Sequence, residues 1–176
     1  RVQAPTGIAS ALENRIATTR VFPDIFQKMS IRRLAPFFGK FRKMFQGLNP
    51  AADCLVGIPT PGPMNEGYFE HTYIARFLGL MLLEGEDLTV QKGQLMAKTV
   101  DGLLPLRVVW RRIDGIYADP LELKENSILG TPGLLGAIRK QEVTVVNALG
   151  SGVLESRVWS AFLPELCKVL LHEELK

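Results

Sequence analysis

Apolar positions in the first fifty residues return at helical steps, and beyond residue 53 they gather into short runs between turns. Residues 8–22 are good helix formers that stop at Pro23, and Asp24 is placed to cap a short helix through residue 29. Over 31–48, Leu34, Phe37, Phe38, Phe41, Phe45 and Leu48 recur every three or four residues, which predicts a helix with one apolar stripe. Arg32, Arg33, Lys40, Arg42 and Lys43 fall largely off that stripe, and Asn49-Pro50 ends it. Apolar runs at 54–58, 81–83, 107–111 and 143–147 predict four buried strands. Helices are expected at 65–80, 132–140 and 158–174, while 88–100, turning at Lys92-Gly93, predicts a β-hairpin. Strands separated by helices imply an α/β fold: a parallel sheet of about four strands with helices on both faces. The hairpin adds an antiparallel insertion or sheet extension. Two parts are expected, a helical segment over 1–50 and a sheet domain over 51–176.

Composition narrows the class without naming a chemistry. Apolar residues make up 47% and charged residues 22%, as in ordinary globular domains, so disorder throughout is excluded. No run approaches the roughly 18 apolar residues of a membrane span, and the first residues lack a signal-peptide pattern, so a cytoplasmic setting is expected. The abrupt opening R-V-Q-A-P-T-G reads as an excised piece of a longer chain. Cys54 and Cys167 stand too far apart for a metal-ligand spacing and are expected to be small buried hydrophobes. Charge is uneven: nine Lys and Arg face two acids in residues 1–50, against twelve and sixteen in the rest. Such a split fits either contact with nucleic acid or membrane, or a basic layer docked on an acidic one.

In parallel sheets ligands collect beyond the carboxyl ends of the strands, and three segments fall there. In residues 57–71 a strand runs through Pro59, Pro61, Gly62 and Pro63 toward a helix that Asn65 is placed to cap; exposed amides at such an end favour an anion. The plainer reading is that these residues only shape a turn. In residues 108–120 a strand ends in Arg111 and Arg112, followed by Asp114. Arginine suits bidentate carboxylate recognition, but alternation lets only one of the pair face a given cleft. The other is free to pair with Asp114 or Asp119, and a purely structural ion-pair cluster is the competing reading. Gly150-Ser151-Gly152 is either a close backbone approach to a ligand or an ordinary loop. His71 and His172 are isolated, so a surface or packing role is expected, and no catalytic nucleophile or metal set stands out.

Six collinear pieces carry a family resemblance. They are Q-A-P-T-G with A-L-E-N-R (3–15), T-P-G-P-M-N-E-G-Y-F-E-H (60–71), E-G-E-D-L (84–88), W-R-R-I-D…D-P-L (110–121), L-G-T-P-G-L (129–134) and N-A-L-G-S-G-V-L-E-S (147–156). Together they resemble the circularly permuted ATP-grasp proteins of bacteria, which are related to glutathione synthetase and glutathionylspermidine synthetase. The resemblance implies a Rossmann-like (pre-ATP-grasp) lobe that binds substrate for a ligase joining a carboxylate to an amine through an acyl-phosphate. ATP and Mg²⁺ are expected for the full-length protein and none for this piece, because the family's metal-binding carboxylate and amide would precede Arg1. By the same resemblance Pro5, Thr6 and Gly7 form a substrate-side loop. Thr60, Gly62, Asn65 and Glu66 would face the same cleft, with Arg111, Arg112 and Asp114. The expected partners are a peptide-like or amino-acid carboxylate and the rest of the ATP-grasp chain, without nucleic acid or membrane. The alternative is a non-enzymatic module that uses the basic helix 31–48 on nucleic acid or an anionic membrane.

Overall fold

The computed structural model of the chain describes residues 7–48 and 55–175. Three helices come first: α1 (Ile8–Val21), α2 (Pro23–Lys28) and α3 (Ala35–Gly47). Pro23 both ends the first helix and occupies the first turn of the second, where its missing N–H costs nothing. Asp24 therefore lies inside α2 and makes no side-chain cap, contrary to expectation. The sheet region follows as β1 (Leu55–Pro59), α4 (Tyr68–Leu78), β2 (Met81–Leu83), β3 (Leu88–Gln91), β4 (Gln94–Thr99), β5 (Gly102–Trp110), α5 (Leu134–Arg139), β6 (Thr144–Val146) and α6 (Trp159–Leu171).

The sheet is mixed and has six strands, rather than being a parallel sheet of about four beside a separate hairpin. β2, β1, β5 and β6 pair in parallel, and β3 and β4 extend the sheet as an antiparallel hairpin joined to the first half of β5. Lys92 and Gly93 both have positive φ at the hairpin turn, as the sequence pattern required. β5 serves both halves because it carries a bulge: one step along β1, from Leu55 to Val56, matches two steps along β5, from Leu106 to Val108. The bulge turns Leu106 and Val109 to one face and Val108 and Trp110 to the other.

Alternation then builds two cores. On one face Val56, Ile58, Val108 and Trp110 meet buried residues of α1, α3 and α4. The Phe stripe of α3 is spent here: Phe41 and Phe45 lie 5.1 and 5.5 Å from the Trp110 ring, and Phe38 lies 5.2 Å from Phe77. On the other face Leu83, Leu106 and Val109 pack with the hairpin and with Leu134 and Ala137 of α5. α6 buries none of its residues and leaves Phe162, Leu163, Val169, Leu170 and Leu171 exposed. Cys167 on α6 is half-buried rather than a core residue, and Cys54 lies outside the described residues. No helix among the described residues is long and apolar enough to cross a membrane.

Candidate functional site

The parallel strands β1, β2, β5 and β6 all end at one edge, and the residues that follow them are Thr60, Glu84, Arg111 with Arg112, and Asn147. The two arginines continue the strand alternation. The Arg111 amide donates to Val146 O and the Arg112 amide to Pro59 O, so their side chains leave on opposite faces. Both are buried.

Arg111 is consumed by backbone. Its Nε donates to Asn147 O at 2.8 Å and its Nη2 to Ala148 O at 3.2 Å, while Nη1 donates to Ile113 O. Nη2 also lies 3.5 Å from Ser151 Oγ, and Asn147 returns a bond to Arg111 O. Burial holds its guanidinium below the ordinary arginine range, with Asp114 opposing the shift. This side chain fastens the 147–151 loop to the strand end, so the Gly150-Ser151-Gly152 turn is tied down by it.

Arg112 is placed differently. Its guanidinium lies 5.0 Å from the Trp110 ring centroid, and Nη2 donates to Glu70 Oε1 at 3.3 Å. Its Nε and Nη1 are buried and have no hydrogen-bond partner among the described residues. Burial lowers its pKa from the ordinary value, and Glu70 counters the shift. The partner is thus Glu70 and not Asp114 or Asp119. Asp114 instead accepts from Ile116 N at 3.4 Å, and Asp119 accepts from the amides of Leu121, Gly133 and Leu135.

Glu70 is the residue that joins the parts. From the first turn of α4 its carboxylate also accepts from Gly7 N at 2.7 Å and Ile8 N at 3.1 Å, so it caps α1 from a distance. One residue on, His71 is buried with Nδ1 2.8 Å from Thr60 Oγ1. Burial and the nearby Arg112 cation lower its pKa to about 4, against a weaker opposing effect of Glu70. The ring is therefore neutral at neutral pH.

A stability consequence follows from that shift. The folded chain resists protonating His71 while the unfolded chain takes a proton near pH 6.5. Stability should be at its full value above about 6.5 and fall as pH drops toward 4, at a limiting slope of about 1.4 kcal/mol per pH unit. Urea unfolding between those values should show this loss, and His71→Gln should flatten it. An unchanged slope in the variant would assign the acid sensitivity elsewhere.

The remaining expected site residues are placed as follows. Pro5 and Thr6 lie outside the described residues. Gly7 has φ +94° and stands at the Glu70 carboxylate. Gly62 has φ +90°, which favours glycine, and a Cβ there would push on the Glu84 carboxylate, 2.9 Å away at Oε2. Asn65 does not cap α4. Its Oδ1 accepts from Gly67 N at 2.9 Å, closing a local turn, and the helix begins only at Tyr68. Glu66 is exposed. Glu70, His71 and Glu84 were not selected from sequence as site residues. Their signal was present only as letters inside Y-F-E-H and E-G-E-D-L, since the partners of Glu70 lie 42 and 63 residues away.

A family model for circularly permuted ATP-grasp proteins of type 2 matches residues 1–176. An uncharacterized protein of Synechocystis is 37% identical over 175 residues, which cover 98% of this chain and 36% of that protein. Two uncharacterized proteins of Mycobacterium tuberculosis are similar. One is 39% identical over 97% of this chain and 20% of its own length, the other 33% identical over 98% and 32%. The chain thus spans about a third or less of the length of these relatives.

Proposed function

Because the chain belongs to the circularly permuted ATP-grasp type 2 family, we propose that it is the substrate-recognition lobe of an ATP-dependent carboxylate–amine ligase of the glutathione synthetase kind. The observation that carries this reading is Arg112. A buried guanidinium with two N–H groups lacking acceptors, at the carboxyl edge of parallel strands, is built to receive an anion. A substrate carboxylate placing an acceptor at Nε or at Nη1 would satisfy a donor that Glu70, bound at Nη2, leaves open. Both nitrogens are closed to solvent, so admission of the carboxylate displaces the start of α1, where Gly7 and Ile8 rest on Glu70. Gly7 then belongs to the substrate-side loop. Thr60 and Gly62 form the facing wall, and Arg111 acts as the fastener of the 147–151 loop.

Ligases of this kind use ATP and Mg²⁺. No three His, Cys, Asp or Glu side chains among the described residues converge to hold a metal ion, and Arg111 is already satisfied by carbonyl oxygens. No phosphoryl-transfer step is assigned to this chain. In this reading nucleotide and metal belong to the remainder of a longer protein. The alternative, helix 31–48 working on nucleic acid or membrane, is less supported because Phe38, Phe41 and Phe45 of α3 are packed against Phe77 and Trp110, although Phe37 stays exposed.

Titration of the chain with glutathione, as a peptide-like acid, tests the role of Arg112. Arg112→Lys keeps the charge and loses the paired donors, and should weaken binding at least ~10-fold. Binding should also expose the Gly7 and Ile8 amides to hydrogen exchange. Equal affinity in the Lys variant would remove Arg112 from the substrate site.

A further inference from the structure

A second concavity lies on the helical side, lined by residues of α1, α2 and α3 and by Phe77 of α4. Its volume is about 440 Å³, within the range of small-molecule sites. The floor is apolar, from Leu12, Ile16, Phe26, Leu34 and Phe77. The polar rim is cationic: Arg15 and Arg20 come from α1, and Arg33 from the turn before α3. No acidic side chain lines the cavity, and none of these three arginines is in an ion pair among the described residues. Arg15 lies over the Phe26 ring at 5.9 Å, which sets a cation beside an aromatic wall.

We propose that this cavity is a binding site for a small organic anion with an apolar or aromatic body. The floor takes the body out of water, and the rim arginines supply the counter-charge. Arg20 also acts on the Tyr73 hydroxyl, which is bonded to Glu13, whereas no acidic side chain stands in the hollow itself, so an anionic head there meets only cations. An uncharged ligand would gain only the floor. The site shares no residue with the Arg112 cluster, so its occupation does not depend on the ligase reading.

Calorimetric titration of the whole chain with naphthoate, and with neutral naphthamide as its uncharged counterpart, tests the assignment. Naphthoate should bind with one site per chain, and naphthamide at least ~5-fold more weakly. Replacing Arg15, Arg20 and Arg33 together by Gln should weaken naphthoate at least ~10-fold. Arg20 and Arg33 are exposed and Arg15 is half-buried without an ion pair, so the variant should keep its fold. Thr19→Trp is an independent check, because it fills the hollow from an exposed position while leaving every charge in place. It should reduce naphthoate binding by a similar factor. No naphthoate binding, equal binding of the neutral amide, or an affinity that neither variant changes would each overturn the proposal. The last result would place the ligand elsewhere on the chain.

Discussion

Replacing Glu70 by Ala is expected to lower the unfolding free energy by roughly 3–5 kcal/mol, the cost of leaving a buried ion-pair partner uncompensated. The Glu70 side chain is 10% exposed and that of Arg112 is 1%, so water offers little compensation. The same substitution strips the acceptor from the Gly7 and Ile8 amides, so α1 should fray at its start as stability falls. Glu70→Gln should cost less, because its one carbonyl oxygen still accepts from one of the two amides, while the other amide and Arg112 lose their partner. Combining Glu70→Gln with Arg112→Met should recover part of the loss, since the buried cation goes with its partner. Urea denaturation of the three variants reads these differences directly. A Glu70→Ala protein within about 1 kcal/mol of wild type would mean that the cluster contributes little to the fold.

Asp119→Ala should be comparably damaging for a different reason. The residue is fully buried, and its carboxylate accepts from Leu121 N at 3.0 Å, Gly133 N at 3.2 Å and Leu135 N at 2.9 Å. These bonds fold the long connection between β5 and α5 back on itself and satisfy amides at the start of α5. Removing the acceptor leaves three N–H groups to find others, at roughly 1–3 kcal/mol for each that stays buried. The connection is also tightly packed: a Cβ on Gly130 would come within 2.1 Å of Tyr117 O, so it cannot easily rearrange. A total loss of about 3–5 kcal/mol is expected, with Asp119→Asn intermediate. Denaturant midpoints together with proteolysis across residues 120–130 would check it. Resistance to protease equal to that of wild type would show that the carboxylate does not hold the connection.

The elements that sequence periodicity revealed are those whose determinants are local. The Phe repeat of α3 and the Lys92-Gly93 turn each carry their own geometric signal within a few residues. The first half of β5 gave none. Gly102 and Pro105 disfavour a strand, yet this stretch pairs with β4 because the hairpin lies beside it and the bulge at Arg107 lets one strand serve two partners. The start of α4 misled in the opposite sense. Asn65 has the chemistry of a helix cap, and Gly67 took its side-chain oxygen for a local turn. At the site, the Arg111-Arg112 pair marked the strand end, and strand alternation anticipated that the two would part company. Which one would lack acceptors was not readable, since that depended on Asn147, Ala148 and Glu70 arriving from other elements.

Under the proposed function this chain recognises the acid, and another part of a longer protein handles the nucleotide. Isothermal titration of the chain with glutathione, and separately with ATP and Mg²⁺, separates these two roles. A single-site heat is expected for the peptide at moderate salt, and none for the nucleotide. Tight nucleotide binding with no response to the peptide would contradict this division, and would mean that the edge around Arg112 belongs to a phosphate rather than to a substrate carboxylate.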